Sequence, residues 1–248
     1  MIRQLGSELF KQRSARTLVS VLAAMIGLIV LAELLHSLGL PADAVADESR
    51  QLMVLGLGGL LSSLFAALFG ALTFTSEVRH GTIRPTFLAT PRRDRVVAAK
   101  GLVSVLIGAV LGLLGAAVAT LVGVMAMEAR GVAVLLDGGD ITQLVVGAAG
   151  AAALSAAIGV GVGTVVRNQV PALIGICAWM LFVEGLLADA TGGLGQIGRF
   201  LPGAAGTAMT GQDPERLLAP AGAVLVLTAY AAASVAIATL ATTRRDVG

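Results

Sequence analysis

The chain has 248 residues, of which 56% are hydrophobic and 13% are charged, with a formal net charge of +2. Soluble domains are usually about 45–50% apolar and about 25% charged. A fold in water needs a polar exterior that this composition does not supply, so it excludes a soluble domain and favours an integral membrane protein. The only cysteine is Cys177, which excludes an intrachain disulfide framework.

The first segment of the chain carries Ile2, Leu5 and Leu9 at helical spacing, with charged residues on the other faces. This pattern predicts an amphipathic helix over residues 1–16 that lies in the membrane interface. A frayed basic start is the alternative. A signal peptide cleaved near Ala44 is a second alternative, but the apolar run before it is longer than the usual signal core of about 7–15 residues.

Six apolar segments follow, and most of them fit the roughly 20 residues that a helix needs to cross a bilayer. The third is longer than a straight crossing requires, so we expect it to tilt or to extend past the membrane surface. We therefore predict an all-α, six-helix membrane bundle in a single domain, 1–248. The predicted spans are residues 17–38, 52–74, 96–127, 141–166, 170–187 and 217–240.

Basic residues are distributed unevenly among the connections between these spans. With the N-terminus inside, 13 of the 17 Lys and Arg residues fall in inside segments, and the four outside are Arg50, Arg130, Arg199 and Arg216. The positive-inside rule therefore predicts that both termini are cytoplasmic, in a multi-pass protein of the inner membrane.

The sequence lacks the motifs of common catalytic and cofactor sites. It has no Gly-x-x-x-x-Gly-Lys-Ser/Thr phosphate loop, no His-Glu-x-x-His and no Gly-x-Ser-x-Gly. The two histidines, His36 and His80, are expected on opposite sides of the membrane and so cannot share a metal. We predict that the chain is not an enzyme and has no catalytic residue, metal site or cofactor of its own.

A dense polar and basic segment, residues 75–95, separates the second and third spans. One interpretation is that its arginines serve only to set the membrane topology. Nucleic-acid binding is not predicted, because Phe87 is the one aromatic residue of the segment and base stacking needs several. A spaced motif starts in this segment and ends in the third span; it reads Glu77-x-x-x-Gly81-Thr82-x-Arg84-x-x-x-x-x-x-Pro91-x-x-x-Arg95-x-x-x-x-Lys100. This pattern resembles the first cytoplasmic loop of ABC type-2 permeases, which are six-span transport subunits whose ATPase is usually a separate chain.

The resemblance implies that this loop forms a coupling helix that docks into the ATP-binding subunit. Gly81 would allow the chain to turn, and Thr82 would cap a short helix. Apolar residues including Ile83 and Phe87 would fill a groove, and the arginines would supply charge complementarity. The implied coupling residues are Glu77, Arg79, Gly81, Thr82, Ile83, Arg84, Phe87, Pro91, Arg92 and Arg95, with a second contact at Arg167 and Asn168.

The resemblance also implies an assembly and a pathway. Two copies of the permease would pair with two ATPase chains, which would bind ATP and Mg, and the assembly would lie in membrane lipid. The stretch Phe200-Leu201-Pro202-Gly203 is similar to the family's short re-entrant hairpin. Cargo would pass between the two permeases along the second and fifth spans, and the residues nominated there are Ser62, Ser63, Thr73, Trp179 and Glu184.

A mostly apolar pathway would favour a hydrophobic or amphipathic cargo, such as a drug, a lipid or a peptide antibiotic. Two other functions stay open. An ion-coupled transporter would need paired charges near the middle of the bilayer, whereas Glu33 and Glu184 are expected near outer helix ends, within reach of interfacial water. The second open function is that of a membrane scaffold without a transport pathway.

Lys100, at the start of the third span, is expected to snorkel to the cytoplasmic surface.

Overall fold

The computed structural model describes residues 6–10, 16–83, 85, 88, 93–188 and 197–244, and the regular structure within these ranges is entirely helical. Residues 6–10 are helical, and a 3₁₀ turn at Asp43–Val45 precedes the second long helix. The helices are α1 (Arg16–Gly39), α2 (Glu48–Arg79), α3 (Arg93–Ala129), α4 (Gly138–Val166), α5, α6 (Pro202–Met209) and α7 (Pro220–Arg244). Helix α5 joins Gln169–Ala178, a π-helical stretch Trp179–Val183, and Glu184–Ala188.

Six helices in the described residues are long and apolar enough to cross a membrane, namely α1 to α5 and α7. The predicted all-helical, six-span architecture is confirmed to that extent. Most helices extend past the predicted spans, and α2 reaches from Glu48 to Arg79. The last helix begins at Pro220 rather than at Leu217, because proline fits a first helical turn and disfavours a helical conformation in the residue before it.

The turn between α4 and α5 is set by two residues. Arg167 ends α4 in the left-handed conformation with φ of 57°, and its backbone N–H still donates to Gly163 O. Asn168 then caps α5, because its Oδ1 accepts the backbone N–H of Val170 at 3.3 Å. The two long helices therefore reverse direction over a link of residues 167–168.

Glycines bring the central helices α2 and α4 into direct backbone contact. A Cβ atom added at Gly70 would lie 2.1 Å from Ala156 O, and one added at Gly159 would lie 2.0 Å from Ala67 O. Small residues allow this approach in a membrane bundle, where close packing replaces apolar burial as the cause of helix association.

Further glycines of α3 and α4 also face other helices of the same chain. Gly108 and Gly112 of α3 pack on the carbonyls of Ala152 and Ala148 in α4, and Gly161 packs on Ser234 of α7. These positions serve packing within the chain.

The connections gather at two ends of the bundle. The loop after α2, the link at 167–168 and the last turn of α7 lie together, since Arg79 Nη1 donates to Gln169 Oε1 and Arg167 Nη2 donates to Ala241 O. We call this the basic end, after Arg79, Arg95 and Arg167. The opposite end holds the turn at Asp43–Val45, the segment between α3 and α4, and α6.

Candidate functional site

A buried ion-pair cluster lies at the basic end, where three separate segments meet. Lys100 Nζ lies 2.8 Å from Glu8 Oε2 and 2.7 Å from Glu77 Oε1, and it also donates to Thr73 O at 3.3 Å. Lys100 is 1% exposed and Glu8 is 5% exposed. A buried ammonium is costly unless its charge is paired and its protons are accepted, and these three acceptors meet both needs.

The three members of this cluster come from three different helical segments. Glu77 is on the last turn of α2, Lys100 is near the start of α3, and Glu8 belongs to helical residues 6–10. The prediction that Lys100 snorkels to the surface is wrong, because two carboxylates bind its ammonium inside the protein. Sequence reasoning missed Glu8, although a signal was there: Glu8 is the one acidic residue among the first sixteen.

The loop after α2 is also anchored by an apolar contact. Ile83 is buried and packs with Phe74 of α2, Val78 and Val96 of α3. Gly81 takes a φ of +70°, and Thr82 N–H then donates to Glu77 O at 2.9 Å, which closes the end of α2. The start of the loop is therefore folded onto both helices that it leaves and enters.

The predicted coupling residues fall into three groups. Glu77 and Ile83 are turned into the chain, as described above. Arg79, Gly81, Thr82 and Arg95 are exposed at the basic end, near the link that contains Arg167 and Asn168. Four of the predicted residues lie outside the described residues: Arg84, Phe87, Pro91 and Arg92.

A second feature is an apolar cavity of about 340 Å³ bounded by α2, α4, α5, the start of α6, and α7. Its lining includes Ile158, Val162, Trp179, Glu184 and Tyr230. Trp179 begins the π-helical stretch of α5, and Glu184 follows it. Such π-turns are rare and occur frequently at functional sites.

Glu184 holds the short helix α6 in place. Its Oε2 accepts the backbone N–H of Gly203 at 2.6 Å, in the first turn of α6. A helix start leaves backbone N–H groups unsatisfied, and a carboxylate there also matches the helix dipole. Helix α6 in turn packs closely on α4, since a Cβ added at Gly147 would lie 2.1 Å from Met209 O.

The remaining predicted pathway residues do not line this cavity. Ser63 lines a smaller space beside it, which also contacts Thr210 and Gln212. The Ser62 hydroxyl donates to Gly58 O at 2.6 Å, and the Thr73 hydroxyl donates to Gly70 O at 2.7 Å. Both hydroxyls are thus satisfied by their own helix. The structure brings together Trp179 and Glu184 and leaves Ser62 and Thr73 elsewhere.

A second cleft, of about 390 Å³, lies between α1, α2 and α5 at the basic end. Phe65, Leu68 and Leu173 line its apolar part, while Arg79 and His80 line its polar part. Its opening therefore has an amphipathic character, with positive charge at the basic end.

Glu33 of α1 is buried more deeply than its place near a helix end suggested. It is 0% exposed, and both carboxylate oxygens lack a hydrogen-bond partner within the described parts of the chain. A Cβ added at Gly123 of α3 would lie 3.0 Å from Glu33 Oε2. The expectation that Glu33 reaches interfacial water is wrong, because α3 packs directly over it.

No protein-family model matches this chain, and no curated protein matches it. Among the described residues, no group of three or more His, Cys, Asp and Glu side chains could hold a metal ion. The functional assignment therefore depends on the geometry above and on the sequence pattern of the loop after α2.

Proposed function

We propose that this chain is the membrane permease subunit of an ATP-driven exporter whose ATPase is a separate chain. The observation that carries the proposal is the Lys100–Glu8–Glu77 cluster at the base of the loop after α2. A loop that transmits the motion of a partner protein must be attached firmly to the helices that it moves. This loop begins and ends on helices held together by a buried, charge-paired lysine.

The contacts around the loop suggest how motion would spread. Glu77 and Lys100 link α2 to α3, while Arg79 Nη1 reaches Gln169 Oε1 of α5 at 3.2 Å. Movement of the loop would therefore act on α2, α3 and α5 together. Rigid-body motion of packed helices is the usual form of such a transition. ATP binding and hydrolysis in the partner would drive alternating access, and this chain would perform no covalent chemistry.

The charge pattern and the resemblance of the loop support the remaining parts of the proposal. The basic end would face the cytoplasm of an inner-membrane protein, with both termini on that side. Two permease chains would pair with two ATPase chains, and ATP and Mg would be bound by the ATPase. The coupling residues would include Arg84, Phe87, Pro91 and Arg92 together with those at the basic end. The cargo would be hydrophobic or amphipathic.

Purification in mild detergent, with identification of what remains bound, tests this proposal. We expect an ATPase chain with a phosphate loop in equal stoichiometry. Gly81→Pro should abolish its binding, because proline cannot adopt a φ of +70° and removes the N–H that Gly81 donates to Val78 O.

Gly131→Pro is a matched control at the opposite end. Gly131 has a φ of +71°, donates its N–H to Glu128 O, and like Gly81 has open space around its Cα. The Gly131→Pro variant should lose the corresponding backbone hydrogen bond and still bind the ATPase. Equal retention of the ATPase by both variants, or ATP hydrolysis by the purified chain alone, would contradict the proposal.

A second candidate function, ion-coupled transport, is favoured by Glu33. A carboxyl group without a partner in a membrane span is a candidate proton carrier. Vesicles that contain only this chain would then accumulate cargo under a pH gradient without ATP, and Glu33→Gln would abolish the accumulation. Accumulation that depends on ATP and the partner, and that survives Glu33→Gln, would exclude this candidate.

A further inference from the structure

The cavity beside α5 contains one carboxylate in otherwise apolar surroundings. Its volume of about 340 Å³ matches the lower range of small-molecule sites. Ile158, Val162 and Met180 supply apolar surface, and Glu184 is the only charged residue in the described lining. Such a cavity accepts a compact apolar body that brings a single charge to one wall.

The carboxylate of Glu184 has one oxygen in use and one available. Oε2 accepts the N–H of Gly203, whereas Oε1 makes no hydrogen bond of good geometry within the described residues, although the Trp179 side chain and the N–H of Ala204 lie near the carboxylate. Glu184 is 7% exposed, so water reaches it poorly. A buried acceptor without a partner costs free energy, and a positive charge placed beside it would offset that cost.

Two aromatic side chains complete the recognition of a cation. Trp179 and Tyr230 both line the cavity, and aromatic faces attract cations, most strongly when water is excluded. They are 43% and 39% exposed, so the cavity opens on the outer face of the chain between α5 and α7. A ligand dissolved in the bilayer would reach it from the side.

We propose that this cavity binds a lipophilic monovalent cation, with Glu184 as its counter-charge and Trp179 and Tyr230 as aromatic contacts. The claim that such a cation is the exporter's cargo rests on the proposed function. The binding itself needs neither the ATPase nor ATP.

Equilibrium binding to the full chain in lipid nanodiscs tests the proposal, with tetraphenylphosphonium as the probe. Tetraphenylborate is the matched control, because it has the same shape and the opposite charge. We expect the phosphonium to bind and the borate to bind at least about tenfold more weakly, a free-energy difference of the size expected for one close charge contact. Equal binding of the two ions would overturn the proposal.

Two variants distinguish the carboxylate from the apolar walls. Glu184→Gln keeps an oxygen for Gly203 N–H and removes the charge, so phosphonium affinity should fall about tenfold. Glu128→Gln, which changes an exposed carboxylate, should leave the affinity unchanged. Ile158→Trp should fill the cavity and reduce binding of either ion.

Unchanged phosphonium affinity in both Glu184→Gln and Ile158→Trp would overturn the proposed site even if the chain transports cargo. Cation binding that behaves as expected, in a chain that recruits no ATPase, would instead count against the proposed function and leave the site standing.

Discussion

Glu77 and Lys100 lie on either side of the loop after α2, and their side chains meet 2.7 Å apart where Lys100 is almost completely buried. The pair closes the base of the loop, so α2 and α3 leave the bundle at a fixed separation. Glu8 adds a third segment to the same ammonium. A charge buried in this way is costly to separate from its partners, which gives the basic end one strongly preferred arrangement.

Lys100→Met should destabilise the protein, because it leaves Glu8 and Glu77 without their common cation. Loss of one partner of a buried ion pair typically costs about 3–5 kcal/mol. Thermal unfolding in detergent would measure the loss. Arg95→Met is the control, since Arg95 is exposed on the same helix and should change the unfolding temperature little.

The double variant Lys100→Met with Glu77→Gln tests whether the two residues act on one another. The double variant leaves only Glu8 of the two carboxylates deprived of the lysine, so the combined loss should be smaller than the sum of the single losses. Additive losses would show that the contact between Glu77 and Lys100 contributes little.

Gly159→Ala should be strongly destabilising, because the added Cβ would lie 2.0 Å from the backbone oxygen of Ala67. A backbone atom cannot move aside as a flexible side chain can, so α2 and α4 must separate. Overpacking of this kind typically costs about 1–3 kcal/mol. Gly27→Ala on α1 is the control, since its Cβ would have no neighbour within 4 Å, and alanine favours helix. Similar unfolding temperatures for the two variants would contradict the observed packing.

Residue patterns predicted the helices better than they predicted the contacts between helices. Apolar length was enough to find six helices, because a span is a local property of the chain. Gly159 and Gly161 of α4 pack on Ala67 and Ser234, which are far away in sequence. The cluster at Lys100 joins residues separated by 92 positions, and no periodicity carries that information.

For the candidate sites, too, the sequence predicted some features and missed those that depend on the tertiary fold. Trp179 and Glu184 were nominated because the resemblance implied a pathway along the second and fifth spans, and both line one cavity. Glu33 was expected near water because of its position along α1, yet the side of the helix on which it lies places it under α3. Depth along a helix can be read from the sequence, whereas the neighbour that covers a given face depends on the tertiary fold.

Gln51→Leu should loosen the end of the bundle opposite the basic end. Gln51 is fully buried, and its side chain bonds to Val45 O, Ala133 O and the N–H of Leu135 at 3.1, 2.8 and 2.9 Å. Val45 is fully buried, and a buried acceptor left unsatisfied costs roughly 1–3 kcal/mol. The amide of Leu135 should exchange faster with deuterium, whereas Gln143→Leu, at an exposed site, should not alter that exchange.

Asp137 should make the start of α4 sensitive to acid. Hydrogen bonds from the backbone N–H groups of Asp140 and Gly139 hold the pKa of its carboxyl below the ordinary value of 3.8. Because the folded pKa is the lower one, the stabilisation is complete above the unfolded pKa and is lost as pH falls through the folded pKa. The stability difference between the wild type and Asp137→Asn, measured by thermal unfolding, should therefore be constant near neutrality and shrink below about pH 4. A difference that stays constant down to pH 3 would contradict this role.

The membrane orientation can be tested because the chain has one cysteine, Cys177. In a Cys177→Ala background, Thr82→Cys would place an exposed thiol at the basic end, and Glu215→Cys would place one in the exposed segment between α6 and α7. Positive charge is retained on the cytoplasmic side during insertion, and the basic end holds Arg79, Arg95 and Arg167. An impermeant maleimide should thus label the thiol at 215 in intact cells and the thiol at 82 only after permeabilisation. The reverse order would place the loop after α2 outside the cell, beyond the reach of a cytoplasmic ATPase, and would therefore overturn the proposed function as well as the orientation.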